Sequence, residues 1–270
     1  MRSAVTVSLV PEARGGPFVY WDDLAAACAS AKAHGFDAIE LFPPGPDAVD
    51  PATLRALLDD HGLALAAVGT GAGWVKHKLA LTAEDATARD KAVAFVQKML
   101  DFASPFGAPV IIGSMQGRWA DPVSKPTALR YLGNALFKLD EHAADVEGAV
   151  LYEPLNRYET NLINTVGEAA QFLTAMQARN VKVLADLYHM NIEETNLADA
   201  LRTAGPMVGH VHFADSNRRA CGFGHTDLAP IVSALVEIGY AGYLSAEVLP
   251  LPDPDTAARQ TVTSFRRYVA

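Results

Sequence analysis

The 270-residue sequence predicts an α/β protein, a single (β/α)8 TIM barrel over residues 1–270. Three observations carry that prediction. Short apolar, strand-like runs alternate with helical stretches eight times, with no low-complexity segment and no evident linker. The repeat is about thirty residues, as an eightfold barrel of roughly 250 residues requires. Four of the later runs end in Glu153, Asp186, His212 and Glu247, 33, 26 and 35 residues apart, as buried parallel strands do when their C-terminal ends open into a site. An open doubly wound sheet would usually carry a Gly-rich phosphate fingerprint after its first strand, and Val10-Pro-Glu-Ala-Arg-Gly-Gly16 is not one.

Each element has a local signal. Val5 to Val10 reads as the first strand, and Trp21, Leu24, Cys28 and Ala31 recur at helical spacing until Gly35. Ala38 to Phe42 is the second strand. Asp50 then caps a helix with Pro51 at its first position and Gly62 at its end. Leu63 to Val68 and Val110 to Ser114 are strands three and four, with a helix from Thr82 to Ala103 between them and another from Pro126 to Val146 after them. The second half alternates more tightly. Its strands are Gly148 to Tyr152, Val181 to Leu184, Val208 to Val211 and Tyr243 to Ala246; its helices run from Val166 to Ala178, Leu197 to Ala204, Leu228 to Ile238 and Pro254 to Val269.

Composition narrows the function. The net charge of −9 argues against nucleic acid, which requires a basic face, and leaves a small sugar open. Cys28 and Cys221 fit no metal or redox spacing. No signal peptide is evident and no apolar run is long enough to span a bilayer, so a cytoplasmic enzyme without a membrane partner is the expectation.

Strands five to eight of a barrel would bring Glu153, Asp186, His212 and Glu247 together as ligands of one divalent metal. Three carboxylates and an imidazole favour Mn²⁺, Mg²⁺ or Co²⁺ over a structural Zn²⁺, with Mn²⁺ the expected ion and Zn²⁺ still open. For any one of the four, a polar strand end satisfied by hydrogen bonds is the competing reading; matching positions on consecutive units favour the metal.

Three stretches make the chain recognisable: Glu153-Pro-Leu-Asn-Arg-Tyr-Glu159-Thr, Asp186-Leu-Tyr-His189-Met-Asn-Ile-Glu-Glu194, and His212 followed by Asn217-Arg218 and Gly222-Phe-Gly224-His. They resemble the xylose-isomerase-like barrel superfamily of sugar phosphate isomerases and epimerases, most closely the ketose 3-epimerases. Gly113-Ser-Met-Gln-Gly-Arg118 is similar with less specificity. The resemblance implies metal ligands at Glu153, Asp186, His212 and Glu247, an acid/base pair at Glu153 and Glu247, and substrate contacts at His189 and Arg218. It also leaves a homodimer or homotetramer open. One departure stands out: Glu247 is followed by Val248-Leu249-Pro250 where ketose 3-epimerases usually have Pro and an aromatic, which bears on the pocket wall and hence on the substrate.

The chemistry agrees with the resemblance. Removing a proton beside a ketose carbonyl leaves an enediolate that needs a cation, and a carboxylate on each side of that carbon can take the proton from one face and return it to the other. His189 and Arg218 could bond the sugar oxygens. Glu159 is counted with them as substrate-binding, either orienting Glu153 or His189 or standing as a solvated loop carboxylate. Arg118 and Arg157 could clamp a phosphate or sit in solvent, Trp74 could wall a sugar or pack the rim, and His225 could simply shape its loop. The expected activity is C3 epimerisation of a ketose or ketose phosphate; an aldose–ketose or hydroxypyruvate-type isomerase, or a keto-inositol dehydratase, is the alternative. A DNA-repair endonuclease on this barrel would need extra His ligands where Thr70 and Gly113 to Arg118 stand. A non-catalytic sensor would tolerate loss of a carboxylate, and none is lost.

Overall fold

The computed structural model describes residues 1–269. Eight parallel strands form a closed ring: β1 (Arg2–Ser8), β2 (Ala38–Phe42), β3 (Ala64–Gly69), β4 (Val110–Ile112), β5 (Val150–Tyr152), β6 (Val181–Asp186), β7 (Val208–His212) and β8 (Tyr243–Ala246). Each pairs with the next, and β1 pairs with β8 from Arg2↔Tyr243 to Val5↔Ala246, which closes the barrel. A two-residue strand, Tyr20–Trp21, adds to the upper end of β1 outside the ring.

Eight outer helices follow the strands in turn, and each begins at a side-chain cap. Asp23, Asp50, Asp85, Ser124, Thr165, Asn196, Asp227 and Asp253 each accept a backbone N–H of the first turn, which satisfies donors that a helix start otherwise leaves orphaned. Gly35 and Gly62 end the first two helices at φ 85° and 59°, a left-handed conformation that glycine adopts without a Cβ penalty.

Boundaries depart from the sequence reading where side chains tie the backbone elsewhere. The third helix starts at Ala86 rather than Thr82, because the Thr82 hydroxyl is held by the Gln116 and Arg118 carbonyls. Strand β4 stops at Ile112, and Ser114–Gln116 forms a 3₁₀ turn. Two short helices, Ala72–Val75 and Leu187–Glu193, were absent from that reading and sit on the C-terminal face of the ring.

Alternation along the strands decides what faces inward. In β2, Ile39 and Leu41 pack into the large core between sheet and helices. Ala38 and Phe42 instead belong to two smaller clusters inside the ring, the first with Ala4 and Ala66, the second with Phe18, Ile111, Leu151 and Leu184. Glu40 lies between them on the same interior face, fully buried. By the same alternation Asp186, His210 and His212 point inward.

Candidate metal centre and active site

The C-terminal ends of β5 to β8 bring Glu153, Asp186, His212 and Glu247 to one point, with one donor atom of each within 4.8 Å of the others. His212 Nδ1 lies 3.3 Å from Glu153 Oε1, 3.4 Å from Asp186 Oδ2 and 3.5 Å from Glu247 Oε2. Among the described residues, Glu153 Oε1, Asp186 Oδ2 and His212 Nδ1 are buried without a hydrogen-bond partner. Leaving buried polar atoms unpaired costs about 1–3 kcal/mol each, so three converging on one point call for an occupant. Hard oxygens and one imidazole nitrogen fit a divalent cation.

Each donor is aimed by its surroundings. Asp186 uses Oδ1 to cap the short helix at Tyr188 N, 2.7 Å away, which leaves Oδ2 for the cluster. The Glu153 carbonyl accepts from Gln116 Nε2 at 2.9 Å, and Gln116 in turn accepts from the Tyr152 hydroxyl at 2.6 Å. Opposite the cluster, His212 Nε2 is 2.9 Å from Glu40 Oε1.

The charges act on one another strongly. Burial alone would raise the Asp186 carboxyl, but His189, His212 and Arg218 outweigh it and hold it well below the usual range. Burial raises the Glu247 carboxyl to about 7, with Glu153 and Asp186 adding to the rise and His212 and Arg218 opposing it. For His212 burial works against the charged ring, yet Glu247, Glu40, Asp186 and Glu153 together lift it well above an ordinary histidine.

His189 and Arg218 stand on the rim of the same cluster. His189 Nε2 is 3.6 Å from Asp186 Oδ2, and its Nδ1 accepts the backbone N–H of Asn156 at 3.3 Å, which leaves the ring hydrogen on Nε2, facing the cluster. The Arg218 guanidinium touches Glu247 Oε2, lies 3.7 Å from Asp186 Oδ2 and stacks over Tyr188 at 4.7 Å. Arg218 has φ 57°, held by the Leu249 N–H on its carbonyl at 2.8 Å. Its loop is organised by Asp215, whose carboxylate accepts the backbone N–H groups of Ser216, Gly222, Gly224 and Thr226.

Glu159 accepts from Asn156 Nδ2 at 3.1 Å and lies 3.9 Å from His189 Nδ1 and 3.6 Å from Arg218 Nη1, with its side chain 45% exposed. It therefore neighbours His189 and Arg218. Arg157 is engaged by Glu193 through Nε and Nη2, both at 2.9 Å, so it offers no free clamp. His225 is tied by its backbone N–H to Ser216 Oγ. Val248, Leu249 and Pro250 are not among the residues lining the cavity, contrary to the pocket-wall expectation; the segment meets the site's loop through the Leu249 N–H, which donates to the Arg218 carbonyl.

A cavity of about 320 Å³ opens above the cluster, walled on one side by Phe18, Phe42 and Ile111 and on the other by Glu153, His189, Arg218 and Glu247. Beside it runs a groove bordered by Trp74, Lys78 and Arg118, which shares Val75, Ser114, Leu155 and Glu159 with the cavity. Trp74 is thus a rim residue of the groove, 41% exposed.

Sequence reasoning missed Glu40, His210, Gln116, Asn156 and Asp215. Glu40 and His210 did carry a signal, since each is a charged or polar residue inside a run that otherwise reads as a strand buried on both faces. Asn156 and Asp215 carried none, because their partners, the His189 and Glu159 side chains for the one and four backbone N–H groups for the other, are brought to them only by the fold.

The model of the xylose isomerase-like TIM barrel family matches residues 28–268, and the chain belongs to that family. It is 34% identical over 221 residues to the D-psicose 3-epimerase of Agrobacterium fabrum, covering 79% of this chain and 75% of that protein. It is 32% identical over 267 residues to the L-ribulose 3-epimerase of Methylomonas sp., covering 93% and 90%. A crystal structure of a D-psicose 3-epimerase in the presence of D-fructose superposes with a TM-score of 0.82 at 25% identity, covering 100% of this chain and 99% of that one.

Proposed function

We propose that this protein is a divalent-metal-dependent ketose 3-epimerase acting through proton abstraction beside the ketose carbonyl. The chain is an enzyme of the isomerase class. The observation that carries the reading is the convergence of three buried, unpartnered donor atoms beside Glu247, in a chain whose relatives are ketose 3-epimerases. Glu153, Asp186, His212 and Glu247 would hold the ion, with Mn²⁺ the expected occupant. Bound there, it would supply positive charge to the enediolate oxygens.

The remaining work falls to the chain's own groups. Glu153 and Glu247, from β5 and β8, exchange the C3 proton on the two faces of the sugar, one removing it and the other returning one. His189 donates from Nε2 and Arg218 from its guanidinium to sugar oxygens where negative charge develops. Glu159 steadies both. Phe18, Phe42 and Ile111 exclude water from the reacting carbon.

The substrate is a small ketose, free or phosphorylated. The exposed Lys78 and Arg118 of the adjoining groove are the cations that would favour a phosphate. Residues 1–270 act as one domain in carbohydrate metabolism, in the cytoplasm, as a homodimer or homotetramer. No helix among the described residues is long and apolar enough to cross a membrane.

Turnover of a panel of free and phosphorylated ketoses with added Mn²⁺ in deuterated water tests the reading. An epimerase places deuterium at C3 of the product. Label at C1 or C2 instead would identify an aldose–ketose isomerase, and loss of water a dehydratase.

A further inference from the structure

Inside the barrel, below the candidate metal centre, one carboxylate bridges two imidazoles. Glu40 Oε2 is 2.6 Å from His210 Nε2, and Glu40 Oε1 is 2.9 Å from His212 Nε2. All three residues are almost fully buried, with Glu40 and His212 at 0% exposure. The bridge does not follow a strand pairing: β2 and β7 are not neighbours in the ring, so these bonds cross the barrel interior.

We infer that Glu40 is a positioning residue for the metal centre, fixing the His212 ring so that Nδ1 presents its lone pair at the point where Glu153, Asp186 and Glu247 converge. This rests on the reading of His212 as a metal ligand. An ionised carboxylate can only accept hydrogen bonds, so both imidazoles must place hydrogen on Nε2. A neutral ring has one hydrogen, and with Nε2 occupied the other nitrogen is left to coordinate. Nδ1 of His212 has no hydrogen-bond partner, as that assignment requires. Carboxylate–histidine–metal arrangements of this kind orient the ligand and raise its basicity.

The direct hydrogen-bond distances also answer the other use of the trio. Glu40, His210 and His212 lie close enough to suggest a second metal site, but an ion seated among them would have to displace both short N···O contacts. His210 shares the carboxylate without reaching the metal centre, which makes it a control built into the structure.

The test compares Glu40→Gln with His210→Gln. A glutamine at position 40 has one accepting oxygen and one donating nitrogen, so it cannot accept from both rings. It must force one of them to carry hydrogen on Nδ1 or leave it unbonded. Mn²⁺ affinity is measured by calorimetry or chelator competition, the hydrogen-bearing nitrogen of the histidine by ¹⁵N NMR of the Zn²⁺-loaded protein, and folding by thermal melting. Glu40→Gln is expected to weaken Mn²⁺ binding by about 10- to 100-fold and to alter the His212 tautomer signature. His210→Gln should leave both unchanged, whatever it does to the melting temperature.

Equal weakening by both substitutions would make the trio merely structural and overturn the proposal, as would an unchanged affinity in Glu40→Gln or a stoichiometry of two ions per chain. Should Glu40→Gln fail to fold, Glu40→Asp decides: the shorter carboxylate cannot span both rings, and undiminished Mn²⁺ affinity with an unchanged tautomer overturns the proposal. Asp186→Ala separates the two levels. Undiminished metal in that variant sinks the metal-centre reading itself, whereas lost metal there with intact metal in Glu40→Gln sinks only the role of Glu40.

Discussion

Gly113 offers a way to move one of the two proposed acid/base carboxylates without deleting it. It sits at the end of β4, and a Cβ built there would run into Glu153 Oε2. Its next neighbours, Glu153 Cδ at 3.6 Å and Leu155 Cδ2 at 3.7 Å, are at ordinary contact. In Gly113→Ala the carboxylate is therefore the group that must yield, and reaching a van der Waals separation takes a retreat of roughly 1 Å. The retreat carries along Oε1, one of the three unpartnered donor atoms. A misplacement of that size costs on the order of 10²-fold in rate. A single small substitution typically costs about 0.5–3 kcal/mol in stability, so the protein should remain folded. We expect kcat/KM to fall about 10²-fold at saturating Mn²⁺ while a cooperative thermal transition is retained. Parental activity in a folded Gly113→Ala protein would refute the argument, since it would mean that the position of the Glu153 carboxylate does not matter to the reaction.

Three further outcomes follow from the same geometry. Its carboxylate neighbours raise the affinity of His212 for a proton; the stability this lends the metal-free protein is present below the ordinary histidine range and lost as pH rises through the raised value. Metal must displace that proton, so calorimetry in buffers of different ionisation enthalpy should show proton release and tighter binding with rising pH, and binding without release would contradict it. Glu153→Gln and Glu247→Gln should each bind metal yet lose about 10²- to 10⁴-fold in epimerisation; one variant staying substantially active would point to a single-base isomerase. Asp215→Ala strips the Gly222, Gly224 and Thr226 N–H groups of their acceptor and leaves Ser216 only Thr226 Oγ1, so denaturant unfolding should show a loss of at least about 2 kcal/mol with lower turnover through Arg218, and an unchanged midpoint would rule that out.

The barrel was legible because its signals are local and repeated. Helix caps such as Asp50 with Pro51, and stops such as Gly62, announce themselves within a few residues. The four strand-end donors were legible for the same reason, each closing its own apolar run. Glu40 was not read as functional, because its partners are 170 and 172 residues away and meet it only across the closed ring. The tautomer of His189 depends on a backbone N–H that no composition reveals. The left-handed conformation of Arg218 is accompanied by a backbone bond from the Leu249 N–H, 31 residues away, that no local pattern announces.

These dependencies divide the barrel. The donors that meet at the candidate metal centre all come from β5 to β8, whereas the apolar wall of the cavity is built by Phe18, Phe42 and Ile111, from β2, β4 and the segment after β1. Charge clustered on one side must be rigid, because three carboxylates in a buried site repel one another unless a cation holds them, and Arg218 compensates only at Glu247 and Asp186. The apolar side carries no such constraint, since shape there can change by a methyl group at modest cost. Substrate choice can therefore shift through the first half of the chain while the proton chemistry stays fixed in the second. Glu40 is the exception that couples the halves: a first-half strand reaches across the interior to hold His212, so changes that move β2 act on the metal centre as well as on the wall that Phe42 forms.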